Sequence, residues 1–283
     1  MKILVAGASG AIGRKLVPML VEEGHEVIAV SRSGTASRGF EAIGAKTAAL
    51  DAFDREAAFA LLREHRPDAV IHQLTSLGKR DFEEHARLRR DGTRNLVDAS
   101  RAAGVDRMIA QSISWAYAPG VGPATEDEPL DLDSDDPRRM TVEAVNALEN
   151  AVFGMPSAVV LRYGLFYGPG TWYAPDGYMA AQARLGQLTA TKGVSSFVHI
   201  EDAATASVDA LQWPSGHYNV TDGEPAAGTD WLPAFAEAVG APAPERFLEG
   251  EPWERGADHG RALGQGWRPR YSSWRQGFRS GLV

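Results

Sequence analysis

Short apolar runs alternate with amphipathic segments through the first 163 residues. Helical spacing of Ile12, Leu16 and Leu20 predicts a helix over 11–23. Apolar runs separated by helices are typical of parallel β-α-β units with helices on both sheet faces. The pattern therefore predicts an α/β fold built on a doubly wound parallel sheet. The predicted strands cover 3–6, 27–30, 47–50, 69–72, 107–112 and 157–163, and further helices cover 54–64, 80–103 and 138–153.

The pattern becomes irregular after about residue 164. Turn signals stand at 168–170 and 174–177, and the stretch 240–257 is rich in Pro, Gly and Glu. Strands are predicted over 194–200 and 217–220, with a helix over 203–213 between them. We expect one domain over 1–163 and a smaller, irregular lobe over 164–283 that interleaves with the sheet in a single structural unit.

Composition excludes several classes of protein. The 283 residues contain no Cys, which excludes disulfide scaffolds, thiolate zinc sites, iron–sulfur clusters and cysteine catalysis. Charged residues are 29 Lys and Arg against 37 Asp and Glu, a net charge of −8 that argues against nucleic-acid partners. No apolar run approaches the roughly 20 residues of a membrane span, and no His, Asp and Glu have metal-ligand spacing. We expect a cytoplasmic protein without a membrane partner or a metal.

A glycine-rich turn joins the first strand to the first helix. Its Gly-x-x-Gly-x-x-Gly spacing allows a tight turn and a close approach of backbone to a pyrophosphate. The helix that follows offers free N–H groups and the positive end of its dipole. We expect a dinucleotide-binding site formed by Gly7, Ser9, Gly10, Ala11, Ile12 and Gly13.

The residues at the end of the second strand favour one dinucleotide. A site for NAD places Asp or Glu there, but this chain has Ser31, Arg32 and Ser33, with Arg38 close behind. Because Arg pairs with a 2′-phosphate, the sequence predicts NADP(H), although a solvated loop Arg is the alternative. Asp51, after the third strand, either accepts a bond from the adenine amino group or caps the next helix.

Several ordered motifs extend this interpretation along nearly the whole chain. They include GTRNL at 92–96, SISWAY at 112–117, LRY…YGPG at 161–170, FVHIEDAA at 197–204 and YNV at 218–220. The chain resembles the extended short-chain dehydrogenase/reductase family, which includes nucleotide-sugar epimerases and dehydratases. The resemblance implies a Rossmann-type fold with a C-terminal substrate lobe, a small-molecule substrate and a homodimer through two long helices. It also implies that the segment ending at Leu74 lines the cofactor cleft.

The sequence departs from that family at its catalytic pair. The family uses Tyr-x-x-x-Lys in the helix after the fifth strand, and no such motif exists in this chain. Thr141 stands at the Tyr position and Val145 at the Lys position. A Thr hydroxyl is too weak an acid to replace an activated Tyr. Arg89 also replaces an Asn that the family carries three residues before Gly92.

Other residues are candidates for the missing chemistry. Ser112 and Ser114 stand at the carboxyl end of the fifth strand, where such sheets bind ligands, although they can instead satisfy local backbone groups. Tyr117 is a candidate relocated proton donor or a packed aromatic residue. Thr141 is the fourth catalytic candidate. The residues predicted to contact substrate are Arg89, through an anionic group, and the aromatic Tyr163, Tyr167 and Trp172, for which packing is the alternative.

Three functions remain open at this point. The first is an atypical NADP(H)-dependent reductase of a small, fairly apolar metabolite or natural-product intermediate. The second is an isomerase, cyclase or lyase on the same fold without net redox chemistry. The third is a redox sensor that binds NADP(H). Sugar-nucleotide epimerisation ranks below these because it depends on the missing Tyr.

Overall fold

The computed structural model describes residues 1–32, 37–76 and 80–283; the side chains of Ser37 and Arg38 fall outside the described part as well. The larger strands are β1 (Lys2–Ala6), β2 (Glu26–Ser31), β3 (Lys46–Ala49), β4 (Ala69–His72), β5 (Arg107–Ile113), β6 (Ser157–Tyr163), β7 (Leu165–Tyr167), β10 (Phe197–His199) and β11 (Gly216–Val220). Two-residue strands are β8 (Thr189–Ala190), β9 (Val194–Ser195), β12 (Ala226–Ala227) and β13 (Glu245–Arg246).

Helices follow most of the strands. They are α1 (Ala11–Glu22), α2 (Ser37–Ala42), α3 (Arg55–His65), α4 (Phe82–Arg87), α5 (Thr93–Ala102), α6 (Arg138–Val152), α7 (Tyr178–Arg184), α8 (Ile200–Asp209), α9 (Gly228–Ala238), α10 (Gly260–Gly264) and α11 (Trp274–Ser280). A π-helical turn, Leu88–Gly92, joins α4 to α5, so the predicted helix over 80–103 contains a widened turn. No helix in the described ranges is long and apolar enough to cross a bilayer.

A seven-stranded sheet confirms the predicted fold class. Its strand order is β11-β6-β5-β4-β1-β2-β3, with β1 parallel to both β2 and β4. Strands β1 and β4 are apolar along most of their length because both sheet faces are covered. The order reverses between β1 and β4, and such sheets bind ligands at the carboxyl ends of the strands at that point.

Two compact units make up the chain. Unit 1 comprises 1–112, 132–161 and 204–217, and unit 2 comprises 113–131, 162–203 and 218–283. The core of unit 1 is aliphatic, with Leu4, Ile28 and Val70 fully buried among the strands and helices. The core of unit 2 is aromatic and centres on rings such as Phe197 and Phe235. The functional division at residue 163 stays a prediction.

The strand predicted over 194–200 is interrupted in unit 2. Val194–Ser195 and Phe197–His199 form separate strands, and α8 already begins at Ile200. The break falls at Ser196, whose buried hydroxyl accepts a hydrogen bond from Ala257 N at 2.9 Å. The helix predicted over 203–213 starts three residues earlier, at Ile200, and ends at Asp209.

Asp222 is a buried carboxyl directly after β11. Its N–H donates to the carbonyl oxygen of Phe197 at 2.6 Å, and its Oδ1 accepts from the N–H of Glu224 at 3.1 Å. Burial raises the pKa of Asp222 from its ordinary 3.8 to about 8. The folded chain therefore holds a proton between pH 4 and 8 that the unfolded chain has released.

This raised pKa makes the free energy of unfolding fall as pH rises. Between about pH 4 and 8 the slope from one such proton is about 1.4 kcal/mol per pH unit, and above pH 8 the contribution is constant. Asp222→Asn removes this part of the slope. Urea unfolding at pH 5, 6, 7 and 8 measures it, and Asp230→Asn, a change at an exposed acid of the same unit, is the matched control. Parallel pH profiles for wild type and Asp222→Asn would contradict the assignment.

Candidate functional site

The glycine turn of unit 1 is built from backbone packed on backbone. Register pairing of Ala6 with His72 brings the segments after β1 and β4 side by side. Gly7 has φ +93°, and a Cβ there would lie 2.5 Å from the carbonyl oxygen of Gln73. A Cβ at Gly13 would lie 2.5 Å from the carbonyl oxygen of Ala8. Both positions therefore require glycine.

The amino end of α1 is open for an anion. Gly10 is its exposed N-cap residue in an extended conformation, and no side chain caps the helix. The first N–H groups of α1, which include those of Ala11 and Ile12, carry the positive end of the helix dipole. Ser9 is half-buried, and its carbonyl oxygen accepts from Nε of Arg14 at 2.8 Å. This arrangement fits a phosphate group.

The other residues predicted for the dinucleotide stand at the carboxyl ends of neighbouring strands. Arg32 is exposed after β2 and pairs with Glu84 at 3.3 Å, while Ser33 and the side chain of Arg38 lie outside the described residues. Asp51 is exposed, and its Oδ1 accepts from the N–H of Phe53 at 3.0 Å. Half-buried Leu74 donates its N–H to His72 Nδ1 at 3.2 Å. Their roles in cofactor binding stay predictions.

Ser112 makes a hydrogen bond to a buried carboxylate. Its hydroxyl donates to Oε1 of Glu149 at 2.6 Å, and the other oxygen of Glu149 lies 3.2 Å from Nε2 of His217. Glu149 is on α6, two turns after half-buried Thr141 and one turn after buried Val145. The Ser112 hydroxyl therefore already donates its one hydrogen to Glu149. The catalytic role of Ser112 stays a prediction.

Arg89 is a buried cation on the π-helical turn. Burial lowers the pKa of its guanidinium to about 10, although Glu149 opposes the shift. Burial and then the charge of Arg89 lower the pKa of His72 to about 4 and that of His85 to about 3. Because His72 Nδ1 accepts from Leu74, its Nε2 holds the proton and donates to the Thr93 hydroxyl at 2.8 Å. Neither histidine is a ready acid at neutral pH.

Unit 2 contains an apolar pocket of about 360 Å³. The segment after β5 supplies Ser114, Trp115 and Tyr117 to its lining. Further aromatic walls come from Tyr173, Trp231 and Trp253. Trp231 and Trp253 could not be found from the sequence pattern, because single aromatic residues about 60 and 80 positions after Tyr173 carry no local signal. A pocket of this size and lining suits a small, flat organic molecule.

Tyr117 is among the residues that line the pocket, and its hydroxyl already makes a hydrogen bond inside the protein. The hydroxyl donates to Oδ1 of Asn219 at 2.7 Å. Asn219 in turn donates to the carbonyl oxygens of Ala124 and Asp258 at 3.1 and 2.9 Å. Burial raises the pKa of Tyr117 to about 12, although the Arg162 guanidinium 4.9 Å from the ring centre opposes the shift. Tyr117 is therefore a poor proton donor near neutral pH.

The other predicted aromatic residues belong mainly to the core of unit 2. Tyr163 is fully buried and donates to the carbonyl oxygen of Ala203 at 3.2 Å. Tyr167 is fully buried among aromatic rings, and burial raises its pKa far above the ordinary value. Trp172 is half-buried, with its ring centre 5.8 Å from that of Tyr178. None of Tyr163, Tyr167 and Trp172 is among the described residues that line the pocket; their contact with substrate stays a prediction.

Known proteins resemble this chain over almost its whole length. A 3-diazoavenalumate denitrifying reductase from Streptomyces sp. is 43% identical over 307 aligned positions, covering 98% of this chain and 99% of that protein. A 2-alkyl-3-oxoalkanoate reductase from Stenotrophomonas maltophilia strain K279a is 28% identical, covering 88% of this chain and 78% of that protein. The crystal structure of UDP-glucose 4-epimerase from Thermus thermophilus in complex with NAD superposes with a TM-score of 0.78 at 27% identity, over 100% of this chain and 98% of that one.

The family model agrees with these similarities. The model of the NAD dependent epimerase/dehydratase family matches residues 3–221, which include the glycine turn, all seven strands of the large sheet and the segment after β5. The match confirms the resemblance to epimerases and dehydratases that the ordered motifs indicate. The chain belongs to the NAD dependent epimerase/dehydratase family.

Proposed function

We propose that this chain is an NADPH-dependent reductase that replaces the diazo group of a small aromatic substrate with hydrogen and releases dinitrogen. The proposal narrows the first of the three functions given above, the reduction of a small, fairly apolar metabolite. It assigns dinucleotide binding to the glycine turn of unit 1 and substrate binding to the aromatic pocket of unit 2.

The observation that carries the proposal is that the side chains considered as proton donors are held in states that donate a proton poorly. The Tyr117 hydroxyl is bonded to Asn219, and burial raises the pKa of Tyr117 to about 12. The Ser112 hydroxyl donates to Glu149, and His72 is held neutral. Reduction of a carbonyl must deliver a proton to oxygen, which such groups do poorly. The best-supported reaction is therefore one that consumes no proton.

Loss of dinitrogen from an aromatic diazonium ion meets this condition. The ring carbon gains a hydride with its two electrons and forms a C–H bond. The C–N bond breaks, its electron pair leaves with nitrogen, and the products are a neutral arene and dinitrogen. The substrate is reduced by two electrons without any proton transfer. The printed name of the Streptomyces relative, a denitrifying reductase of a diazo compound, supports this class of substrate.

The glycine turn supports a dinucleotide as the source of the hydride. When bound, the reduced nicotinamide ring supplies the hydride. Gly7 and Gly13 let the backbone approach the pyrophosphate, and the uncapped amino end of α1 offers N–H donors to it. Arg32 favours a 2′-phosphate, because its exposed pair with Glu84 is weak in water and exchanges readily for a phosphate.

Turnover with a labelled cofactor tests the reaction. Wild-type protein is mixed with 4-methoxybenzenediazonium and NADPH that carries deuterium at the transferred position. We expect one NADPH oxidised per dinitrogen released, with deuterium at the former C–N carbon by mass spectrometry. Because no proton is consumed, kcat stays constant between pH 5.5 and 7.5, and Tyr117→Phe and Thr141→Val stay within about threefold of wild type.

The control variant is Gly10→Asp, which places a carboxylate at the exposed, extended N-cap of α1, where it accepts from the free N–H groups and repels a phosphate. Its rate equals that of a mixture without protein, while circular dichroism confirms that it is folded. A loss of 100-fold or more in Tyr117→Phe would show that a proton donor is required, as general acid catalysis contributes about 10²–10⁴. Substrate conversion without oxidation of NADPH would favour a lyase or isomerase.

Arg32→Ala tests the choice of dinucleotide. We expect the Kd for NADPH to rise at least about tenfold, because a hydrogen bond to a charged group contributes about 1.5 kcal/mol or more. The Kd for NADH is unchanged, and calorimetric titration measures both. Arg55→Ala, which removes another exposed Arg of unit 1 from its pair with Asp98, leaves both values unchanged. Equal weakening of NADPH and NADH binding by Arg32→Ala would refute a 2′-phosphate site.

A further inference from the structure

We propose that the buried guanidinium of Arg89 is a binding site for a small organic carboxylate in unit 1, with an N–H group of His85 as a second donor one helical turn away. The site is separate from the glycine turn. It goes beyond the proposed function, because binding alone tests it. The inference depends on a buried polar stripe, on donors without an acceptor and on a single positive charge.

A polar stripe runs along the helical segment from α4 to α5. His85, Arg89 and Thr93 follow one another at intervals of four residues through α4, the π-helical turn and α5, and all three are buried. Residues four apart lie close to one face of a helix. The hydroxyl of Thr93 lies 2.8 Å from Nε2 of His72, which places this face at the carboxyl end of β4. A helix face that is buried on a sheet is ordinarily apolar, so this stripe requires an explanation.

Arg89 has donors but no acceptor. A guanidinium has five N–H donors, and in the described residues none of those of Arg89 makes a hydrogen bond or an ion pair. The charge of Glu149 reaches Arg89 from α6. The two oxygens of Glu149, however, lie 2.6 Å from the Ser112 hydroxyl and 3.2 Å from Nε2 of His217. A buried charge without a direct partner is costly, and a bound anion offsets that cost.

The guanidinium of Arg89 still reaches water. Among the described residues, the fully enclosed side-chain atoms without a hydrogen-bond partner include Nε2 of His85 but no nitrogen of Arg89. The 7% of Arg89 that is exposed therefore includes its donors. Nδ1 of His85 accepts from the N–H of Ser76 at 3.1 Å, so the neutral ring carries its proton on Nε2. His85 thus adds a further N–H donor close to Arg89.

The charges around Arg89 favour a monovalent carboxylate. Arg89 is charged at neutral pH, because its pKa of about 10 lies well above 7. The planar fork of a guanidinium matches the two oxygens of a carboxylate. A phosphate would bring a second negative charge close to Glu149, with one guanidinium to balance it. An uncharged ligand would leave the charge of Arg89 unpaired.

Three probes test the site by calorimetric titration into full-length wild-type protein without cofactor. They are benzoate, its neutral near-isostere benzamide and inorganic phosphate. We expect benzoate to bind at least about tenfold more tightly than benzamide, because hydrogen bonds to a charged group change affinity by about that factor. Arg89→Met removes this difference. Arg89→Lys, which keeps the charge but loses the fork, raises the Kd of benzoate by about threefold or more.

The matched control is Arg90→Met. It removes the same charge from the adjacent, exposed residue of the π-helical turn, and it leaves the Kd of benzoate unchanged. Gly10→Asp, which repels a phosphate from the glycine turn, weakens binding of phosphate but not of benzoate. Benzoate that binds Arg89→Met as tightly as wild type, equal effects of the two Arg→Met changes, or loss of benzoate binding in Gly10→Asp would overturn the inference.

Thermal unfolding separates a binding role of Arg89 from a structural one. Without a ligand, Arg89→Met unfolds at the same temperature as wild type or at a higher one, because an apolar side chain replaces an unpaired buried charge. Benzoate raises the midpoint of wild type and leaves that of Arg89→Met unchanged. A lower midpoint of Arg89→Met, together with no effect of benzoate on wild type, would identify Arg89 as a structural residue and overturn the inference.

Discussion

The close approach of backbone to backbone at the first turn is the constraint on which unit 1 depends. A side chain at Gly7 or Gly13 would overlap carbonyl groups 2.5 Å away, so only glycine lets β1 turn tightly into α1. That turn also leaves the amino end of α1 uncapped at the carboxyl end of the strands. Folding and anion binding therefore impose the same requirement on the sequence at these two positions.

Unit 1 could be predicted closely because its signals are local. Strands β1, β4 and β5 begin and end within one residue of their predicted bounds, since buried apolar runs stop at turn residues. Unit 2 could not be predicted as well. Its strand pattern breaks at Ser196, whose hydroxyl accepts a hydrogen bond from the N–H of Ala257, 61 residues further along the chain. Local periodicity contains no information about such a partner.

The candidate site also has parts that could be predicted from local sequence and parts that could not. The glycine turn could be identified from spacing alone, because its function resides in the backbone of one continuous segment. Ser112 and Tyr117 could be identified as candidates by position, but the partners of their hydroxyls could not. Glu149 accepts the hydrogen bond of the Ser112 hydroxyl and lies 37 residues away in the sequence. Asn219 accepts that of the Tyr117 hydroxyl and lies 102 residues away. A side chain that is a possible acid in the sequence thus becomes a fixed structural donor in the fold.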